Sequence, residues 1–339
     1  MTMQNKLKIA NVQLESPFLL APLAGVTDSA FRRICKEKGA ALVYTEMISA
    51  KALCYGDRKT ESLLQMYDDE KPVGIQLFSG EPKFLEQAVE MLEDRDNALI
   101  DINMGCPVPK IVKNGEGSAI LKNPYLAFDL VKAARRATKK PVTVKIRIGW
   151  DKEHINACEI ARAAEFAGAD AICVHGRTRE QYYEKEVNWD EIGRVKQSVS
   201  IPVIGNGNVF SAQDAMNLAA QTQCDGIMVA RGAQGNPWIF EELKAHIEGR
   251  EYLQPTIEEK FELLSKQFDL AIEEKGEYVA VRQMRKHIAW YVKGLHDSSV
   301  LKNTISRLES KDEIIKILME YIEKWGEKND KGNFYQNSL

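Results

Sequence analysis

Four polar side chains that suit the binding of a polar ring stand at alternate positions within apolar runs of the chain. Val, Ile and Leu occupy one parity of each run, and the other parity carries Gln76, Asn103, Lys145 and His175. In a barrel of parallel strands one parity faces the lumen, and functional groups gather at the C-terminal strand ends. Two amides, an ammonium and an imidazole at one mouth predict a site for a ring-shaped polar cofactor or substrate.

Each of these residues taken alone has a simpler interpretation. Gln76 or Asn103 can be an ordinary hydrogen-bonded polar group of a barrel interior. Lys145 can be paired with Asp101, because an unpaired lysine is costly to bury. His175 can be a core histidine with satisfied hydrogen bonds. The functional interpretation therefore depends on the four residues meeting at one place.

Two glycine-rich turns follow the last two apolar runs, and they suit a phosphate group. Their sequences are Gly205-Asn206-Gly207-Asn208 and Arg231-Gly232-Ala233-Gln234-Gly235. Glycine lets backbone N–H groups approach phosphate oxygens, and Arg231 adds a charge-assisted contact. The alternative is a pair of tight turns. A dinucleotide fingerprint is not supported, because Phe210 stands where the third glycine belongs, so the phosphate is that of a mononucleotide.

Cys106 is the cysteine best placed for chemistry. It follows Asn103-Met104-Gly105 and precedes Pro107, on a loop at the end of a predicted strand. An unperturbed thiol has a pKa of about 8.5, so near neutral pH it can donate a proton as a general acid. The alternative is an unreactive loop cysteine. The other five cysteines are interpreted as packing residues, and all six as free thiols.

The elements that position these residues alternate between strand and helix. Eight runs rich in Val, Ile and Leu are separated by segments with helical spacing. Strict alternation favours a parallel sheet, and eight units within about 240 residues favour a closed (β/α)₈ TIM barrel, an α/β fold, over an open sheet. The predicted strands are 18–22, 41–47, 73–78, 98–103, 141–148, 170–175, 201–205 and 225–230, and the clearest predicted helices are 82–95, 124–138, 153–167 and 211–220.

The strand signal stops after Pro237-Trp238, and residues 256–325 are rich in Glu, Lys, Leu and Ile with helical spacing. This pattern predicts an appended C-terminal helical domain. We therefore expect a barrel domain over residues 1–250 and a helical domain over residues 251–339, with a frayed polar tail over residues 326–339.

Composition excludes several classes of protein. The chain has 339 residues, 44% of them hydrophobic and 28% charged, a balance that excludes wholesale disorder. Its net charge of -3 provides no general attraction to nucleic acid or membrane. No two cysteines have the spacing of a metal or redox motif, so no metal site is expected. Neither a signal peptide nor a membrane span is visible, which predicts a cytoplasmic protein with no membrane association.

Several segments together carry a family resemblance. They are Ala21-Pro22-Leu23-Ala24-Gly25-Val26-Thr27-Asp28, Gln76-Leu77-Phe78, Asp101-Ile102-Asn103-Met104-Gly105-Cys106-Pro107, Lys145-Ile146-Arg147, His175-Gly176-Arg177-Thr178-Arg179, Gly205-Asn206-Gly207, Gly232-Ala233-Gln234-Gly235-Asn236-Pro237-Trp238 and Met284-Arg285-Lys286-His287. The chain resembles the flavin-dependent tRNA-dihydrouridine synthases, and it is most similar to their bacterial B-type branch. The resemblance covers nearly the whole chain.

The resemblance implies roles for named residues. Cys106 would be the catalytic proton donor, and Asn103 and Arg177 would bind the substrate. The residues implied to bind non-covalent FMN are Pro22, Leu23, Ala24, Gln76, Lys145, His175, Asn206, Gly207, Asn208, Ala230 and Arg231. Two of these depart from the family pattern, which usually has Asp at the position of Asn208 and Gly at that of Ala230. Backbone donors survive both changes.

The implied reaction is the reduction of the C5–C6 double bond of a uridine in tRNA. NADPH would reduce the flavin, hydride would pass from flavin N5 to C6, and Cys106 would protonate C5. Alternatives are a flavin barrel that acts on a free pyrimidine, as dihydroorotate dehydrogenases do, and a non-catalytic RNA-binding protein that kept the barrel. The retained Cys106 and Lys145 argue against the second. No obligate protein partner is evident.

A local basic surface is needed if tRNA is the partner. Residues 281–293 contain four basic residues and no acidic one, and on one helix they would share about a third of the circumference. Apolar residues occupy the other side, as expected for a docked helix. An ordinary solvated face is the alternative, but with the family resemblance we expect tRNA contacts from Arg282, Arg285, Lys286 and Lys293.

Overall fold

The computed structural model describes residues 6–330, which form eleven strands, fourteen α-helices and three short 3₁₀ helices. The strands are β1 (Leu7–Ile9), β2 (Val12–Leu14), β3 (Phe18–Leu20), β4 (Val43–Tyr44), β5 (Ile48–Ser49), β6 (Val73–Phe78), β7 (Leu99–Met104), β8 (Val142–Arg147), β9 (Ala171–His175), β10 (Val203–Asn206) and β11 (Gly226–Val229). The helices are α1 (Ser29–Glu37), α2 (Ala50–Cys54), α3 (Arg58–Ser62), α4 (Pro82–Glu90), α5 (Pro109–Lys113), α6 (Pro124–Ala137), α7 (Ala157–Phe166), α8 (Trp189–Ser198), α9 (Ala212–Thr222), α10 (Ile239–Ile247), α11 (Ile257–Lys275), α12 (Glu277–Tyr291), α13 (Ser298–Ile305) and α14 (Lys311–Asp330).

The strands from β3 onward form one parallel sheet that curls into the predicted barrel. Their spatial order is β3-β11-β10-β9-β8-β7-β6-β4, and β5 pairs with the far end of β6. A parallel bridge between Leu19 and Leu42 joins the two ends of the sheet, supported by a 2.9 Å hydrogen bond from the Leu20 amide to the Leu42 carbonyl. Each of the eight predicted strand segments overlaps an observed strand, which confirms the TIM-barrel prediction.

A short antiparallel hairpin precedes the barrel, and the sequence analysis did not predict it. In this hairpin β1 pairs with β2. Leu7, Ile9 and Leu14 are buried in one cluster with residues from the N-terminal halves of the barrel strands, such as Leu99 and Ile204. A Cβ at Gly226 would lie 2.8 Å from the Leu7 side chain. The hairpin therefore packs tightly across the bottom of the barrel, opposite the mouth.

The main core lies between the barrel and its outer helices. Outward-facing residues such as Ile75, Ile102 and Val144 are fully buried there against helical residues such as Leu130 and Ile160. The four predicted outer helices are present as α4, α6, α7 and α9, each shorter than or shifted by a few residues from its predicted range. Packing in this core explains why apolar residues occupy every second position of β6, β7 and β8.

The C-terminal helices α11 to α14 have a hydrophobic cluster of their own. Helix α11 begins with a capping box, in which the Thr256 side chain and the Glu259 carboxylate bond each other's backbone N–H groups. It ends at Gly276, whose φ of +75° is a conformation that favours glycine. The predicted domain boundary at residue 250 falls in the connection between α10 and α11. The prediction of a frayed tail was wrong for residues 326–330, which are the last residues of α14, and the rest of that tail lies outside the described residues.

The two groups of elements are in close contact. Ala30 and Ile34 of α1, together with Trp238, belong to the same buried cluster as the C-terminal helices. Gly235, at φ +69°, brings the chain so close to α12 that a Cβ there would lie 2.5 Å from the Trp290 carbonyl carbon. Only glycine permits this approach. Within residues 6–330, every helix falls short of the length and apolar character that crossing a membrane requires.

Candidate active site at the barrel mouth

The four polar residues predicted to converge do so, on neighbouring strands at the C-terminal end of the barrel. Asn103 of β7 is in register with Lys145 of β8, and Asn206 of β10 with His175 of β9. The Lys145 ammonium donates to the Asn206 carboxamide oxygen at 3.3 Å. Among the described residues Lys145 makes no ion pair with Asp101, so the structure does not support the simpler pairing. The ammonium group of Lys145 therefore lies at the mouth of the barrel.

Gln76 and Asn103 form a chain of hydrogen bonds that begins at Asp101. The Gln76 Nε2 atom donates to Asp101 Oδ2 at 2.7 Å, and Asn103 Nδ2 donates to Gln76 Oε1 at 2.8 Å. Thr143 Oγ1 donates to the other Asp101 oxygen at 2.6 Å. All four side chains are buried. The two amides are therefore fixed in orientation beneath the mouth.

Cys106 lies on the loop after β7, and this loop is held from both sides. The amides of Gly105 and Cys106 donate to Asn103 Oδ1 at 3.1 and 2.9 Å. Arg147 Nε donates to the Gly105 carbonyl at 2.9 Å. Burial raises the pKa of the half-buried Cys106 thiol, although the nearby Arg147 and Lys145 cations lower it in part. The thiol therefore keeps its proton at neutral pH. All six cysteines are free, as predicted.

His175 is held as a neutral ring. Burial lowers the pKa of its imidazole well below the usual range, and four cations, led by Arg147, lower it further. Arg177 Nη1 lies 3.1 Å from His175 Nε2. Because a guanidinium can only donate, Nε2 must accept and the ring proton must sit on Nδ1. The neighbouring cations thus fix both the charge and the tautomer of His175.

Arg177 was predicted to bind substrate, and the structure places it in the protein interior. Its side chain is among the largest that are fully buried. Besides the His175 contact, it donates to the Glu184 carbonyl at 2.9 Å and to Asn208 Oδ1 at 2.6 Å. In this position Arg177 joins β9, the loop at Glu184 and the first glycine turn.

The two glycine turns line one pocket next to His175. Its walls are formed by His175, Arg177, Tyr183, Asn206, Gly207, Asn208, Val209, Phe210, Met228, Ala230, Arg231 and Gly232. A Cβ at Gly232 would lie 2.1 Å from the Val209 carbonyl oxygen, so the two turns pack directly against each other. The Arg231 guanidinium lies over the Tyr183 ring at 5.1 Å and the Phe210 ring at 5.7 Å. The pocket therefore has a cation at its edge.

Both departures from the family pattern are compatible with the pocket's geometry. Asn208 has a φ of +55°, a left-handed conformation that Asn and Asp adopt more readily than other side chains. Its amide oxygen accepts from Arg177, and its Nδ2 donates to the Lys185 carbonyl at 2.7 Å. Ala230 has a φ of -114°, so no glycine is required there. Pro22, Leu23 and Ala24 stand at the same mouth, just after β3.

Helix α12, which carries most of the predicted basic segment 281–293, ends before that segment does. Helix α12 ends at Tyr291, because Gly294 adopts a left-handed φ of +85° and turns the chain. The prediction that one helix carries all four basic residues was therefore wrong for Lys293, which lies beyond the helix end. The predicted apolar side is confirmed, since Val281, Met284 and Ile288 are buried.

The four basic side chains also face different surroundings. Arg282 and Lys293 are exposed, and Arg282 lies over the Tyr278 ring at 3.5 Å. Arg285 donates to the Leu308 carbonyl at 3.1 Å. Lys286 turns toward the barrel and donates to the Gly25 carbonyl in the loop that follows β3. Burial lowers the Lys286 pKa, partly offset by the Asp28 and Glu46 carboxylates. Of the four, Arg282 and Lys293 are thus the two exposed to solvent, and Arg282 also pairs with Glu309 at 3.9 Å.

Three residues of the site were not singled out by sequence reasoning. Arg147 supports the Cys106 loop, and burial lowers its pKa to about 10. Arg147 could have been predicted as a site residue from its position at the C-terminal end of β8. Tyr183 and Phe210 flank Arg231 and are exposed. Their loops have no periodicity, so nothing in the sequence marked them.

The barrel resembles solved structures of other proteins, and the chain has relatives in sequence. Histamine dehydrogenase from Rhizobium sp. 4-9 superposes with a TM-score of 0.56 at 14% identity over 78% of this chain and 50% of that chain, a likeness of fold alone. The probable tRNA-dihydrouridine synthase of Rickettsia prowazekii is 39% identical over 305 residues, 89% of this chain and 93% of that protein.

The B-type branch is represented as well. The tRNA-dihydrouridine synthase B of Shewanella oneidensis is 37% identical over 323 residues, which cover 94% of this chain and 99% of that protein. The family model described as dihydrouridine synthase (Dus) matches residues 19–325, from β3 into α14. Since this match spans both the barrel and the C-terminal helices, the chain belongs to the dihydrouridine synthase family.

Proposed function

We propose that this protein reduces the C5–C6 double bond of a uridine in tRNA at the barrel mouth. Its family makes it an oxidoreductase with a flavin cofactor. The observation that carries the proposal is the convergence of Gln76, Asn103, Lys145 and His175 with the Cys106 loop at one mouth, beside the pocket of the two glycine turns. The names of its relatives specify tRNA, which favours tRNA over a free pyrimidine as the substrate.

The residues at the mouth fit FMN. Gln76 and Lys145 offer donors to the polar edge of an isoalloxazine, and Pro22, Leu23 and Ala24 offer a partly apolar wall. The phosphate would lie in the pocket of the glycine turns, where Asn206, Gly207, Asn208 and Ala230 surround it and Arg231 neutralises its charge. A Cβ at Gly207 would approach the Val187 side chain to 2.8 Å, so the turn leaves no room for a larger residue. In this proposal FMN binds non-covalently.

The chain's own residues would divide the work of the reaction. When bound and reduced by NADPH, FMN supplies the hydride that adds to C6 of the uracil ring. Cys106 holds the proton for C5, since its thiol stays protonated at neutral pH. Lys145 stabilises negative charge near the flavin, and Asn103 orients the base. We assign Arg177 a positioning role, because it fixes the tautomer of His175.

The proposal extends to the organisation and setting of the protein. Residues 1–250 form the FMN-binding catalytic domain, and residues 251–339 the helical domain that binds tRNA. We further propose that the enzyme works without an obligate protein partner, since the mouth residues named above all belong to this chain, and that it acts in the cytoplasm.

We expect the purified protein to be yellow and to release FMN on denaturation. Replacing Arg231 with glutamine should weaken FMN binding by about 10- to 100-fold, because a charge-assisted hydrogen bond to the phosphate is lost. Titration of the apoprotein with FMN and with riboflavin, followed by flavin fluorescence, measures both affinities. Riboflavin carries no phosphate, so its affinity should not change. Arg194→Gln, on the exposed side of α8, is the matched control. An equal loss for FMN and riboflavin would remove the phosphate assignment.

Removal of the two exposed cations near α12 should weaken tRNA binding and its salt dependence. Each lost phosphate contact flattens the slope of log affinity against log salt by about 0.7 to 0.9. The Arg282→Ala/Lys293→Ala double variant should therefore show a slope shallower by about 1.4 to 1.8 in a filter-binding salt series. Lys132→Ala, on outer helix α6, serves as the control. A slope equal to the wild-type slope would place RNA elsewhere on the surface.

A further inference from the structure

Asp101 stands at the start of the hydrogen-bond chain that reaches Cys106, although nothing above gives it a role in the reaction. The carboxylate is buried and points into the lumen below the mouth. One oxygen accepts from Gln76 Nε2 at 2.7 Å and the other from Thr143 Oγ1 at 2.6 Å. The chain then runs through Gln76 and Asn103 to the backbone of the Cys106 loop.

The two ends of this chain have opposite hydrogen-bonding character. An ionised carboxylate only accepts hydrogen bonds, and the backbone N–H groups of Gly105 and Cys106 only donate them. The side-chain amides of Gln76 and Asn103 lie between, and each can in principle exchange its oxygen and nitrogen by a half-turn. With an acceptor at one end and donors at the other, only one arrangement of the two amides makes every bond. That arrangement is the one observed.

We infer that Asp101 is a positioning residue, which fixes the donor–acceptor direction of Gln76 and Asn103 and thereby holds the Cys106 loop at the mouth. The importance of the loop's position for catalysis rests on the proposed function, but the hydrogen-bond direction does not. If the acceptor at residue 101 is removed, the Nε2–H of Gln76 that pointed to Asp101 becomes a buried donor without a partner. The Gln76 amide must then turn or move, and either change breaks its bond to Asn103.

Three variants separate this role from simple packing. Asp101→Leu removes the acceptor with an apolar side chain that also branches at Cγ. Asp101→Asn keeps one oxygen for Gln76, and its new amino group can donate to the Thr143 hydroxyl, so it should restore the direction. Thr143→Val removes a hydrogen bond from the same carboxylate while leaving the Gln76 acceptor in place, and it is the matched control. Asp101→Ala, into whose space water can enter, replaces the leucine variant if that variant fails to fold.

Labelling of Cys106 by iodoacetamide in the native holoenzyme measures how firmly the loop is held. Peptide mass analysis follows Cys106, with the half-buried Cys54 and Cys158 as internal references. We expect Asp101→Leu to label at Cys106 about 10-fold faster than wild type, because an orphaned buried donor loosens the network. Asp101→Asn and Thr143→Val should label at Cys106 within about threefold of wild type, and the reference cysteines should not change.

The rate of uridine reduction by pre-reduced enzyme gives the second readout. A displaced Cys106 loop should slow Asp101→Leu by about 10- to 100-fold, with most of the rate restored in Asp101→Asn. Equal labelling of Asp101→Leu and wild type would overturn the inference, as would an asparagine variant that behaves like the leucine variant. If wild-type enzyme reduces no tRNA uridine, the proposed function fails, whereas the labelling result still decides the role of Asp101.

Discussion

Cys106→Ala enzyme is expected to transfer reducing equivalents to tRNA uridine about 10² to 10⁴ times more slowly than wild type, the usual contribution of a positioned general acid. Cys106→Ser should be similarly slow, since a hydroxyl is a much weaker acid than a thiol. The raised pKa of Cys106 implies that the wild-type acid stays competent through neutral pH and is lost only as the thiolate forms in alkaline solution. Single-turnover mixing of pre-reduced enzyme with tRNA measures the step directly.

Two controls isolate the proton transfer from other effects of removing Cys106. Reduction of the bound flavin by NADPH should stay near the wild-type rate in Cys106→Ala, because that half-reaction needs no proton at uracil C5. Cys158→Ala removes a half-buried thiol from outer helix α7 and should leave both half-reactions unchanged. A wild-type transfer rate in Cys106→Ala would show that another group is the acid, with Lys145 or His175 the leading candidate.

The Arg32–Glu70 pair should be among the costliest contacts in the barrel to break. Arg32 Nε and Nη2 donate to the two Glu70 oxygens at 2.6 and 2.9 Å, and both side chains are almost fully buried. Replacing Arg32 with methionine leaves the Glu70 carboxylate buried and unpaired, which costs about 3 to 5 kcal/mol of unfolding free energy. Urea unfolding of the holoenzyme, followed by circular dichroism, measures the loss.

A second substitution and a surface pair test this explanation. Arg32→Met/Glu70→Gln removes the unpaired charge and should recover a large part of the loss. Lys51→Met breaks the exposed Lys51–Glu81 pair and should cost less than about 1 kcal/mol. A loss in Arg32→Met no larger than that of Lys51→Met would mean that the buried pair contributes little to stability.

The barrel and its mouth could be predicted because the alternation of residues along a strand shows which side chains face the outer helices and which face the lumen. In β6, β7 and β8 one parity packs against outer helices and is uniformly apolar, so the polar residues of the other parity had to face the lumen. Gln76, Asn103 and Lys145 were found in this way. The alternation does not predict which hydrogen-bond partner each polar side chain has. Lys145, for example, donates to Asn206 rather than to Asp101.

The features that escaped prediction depend on contacts between distant segments. Strands β1 and β2 have three residues each, and their buried side chains are explained only by the barrel floor they cover. Arg282 and Lys286 lie about 40° apart on a helical wheel. Arg282 faces solvent, whereas Lys286 reaches Gly25 of the barrel. A helical wheel cannot predict this difference, because it does not show which other segments pack against the helix. Tyr183 and Phe210 were not predicted for the same reason, since their position beside Arg231 depends on contacts between distant segments.

The hairpin that covers the floor of the barrel has a consequence for the order of events during turnover. Leu7, Ile9 and Leu14 fill the bottom of the lumen, which leaves the mouth as the approach to a ring bound among Gln76, Lys145 and His175. In the proposed reaction the nicotinamide of NADPH and the uracil of tRNA would both approach the flavin through this mouth. The oxidised nicotinamide would then have to leave before the uracil could bind.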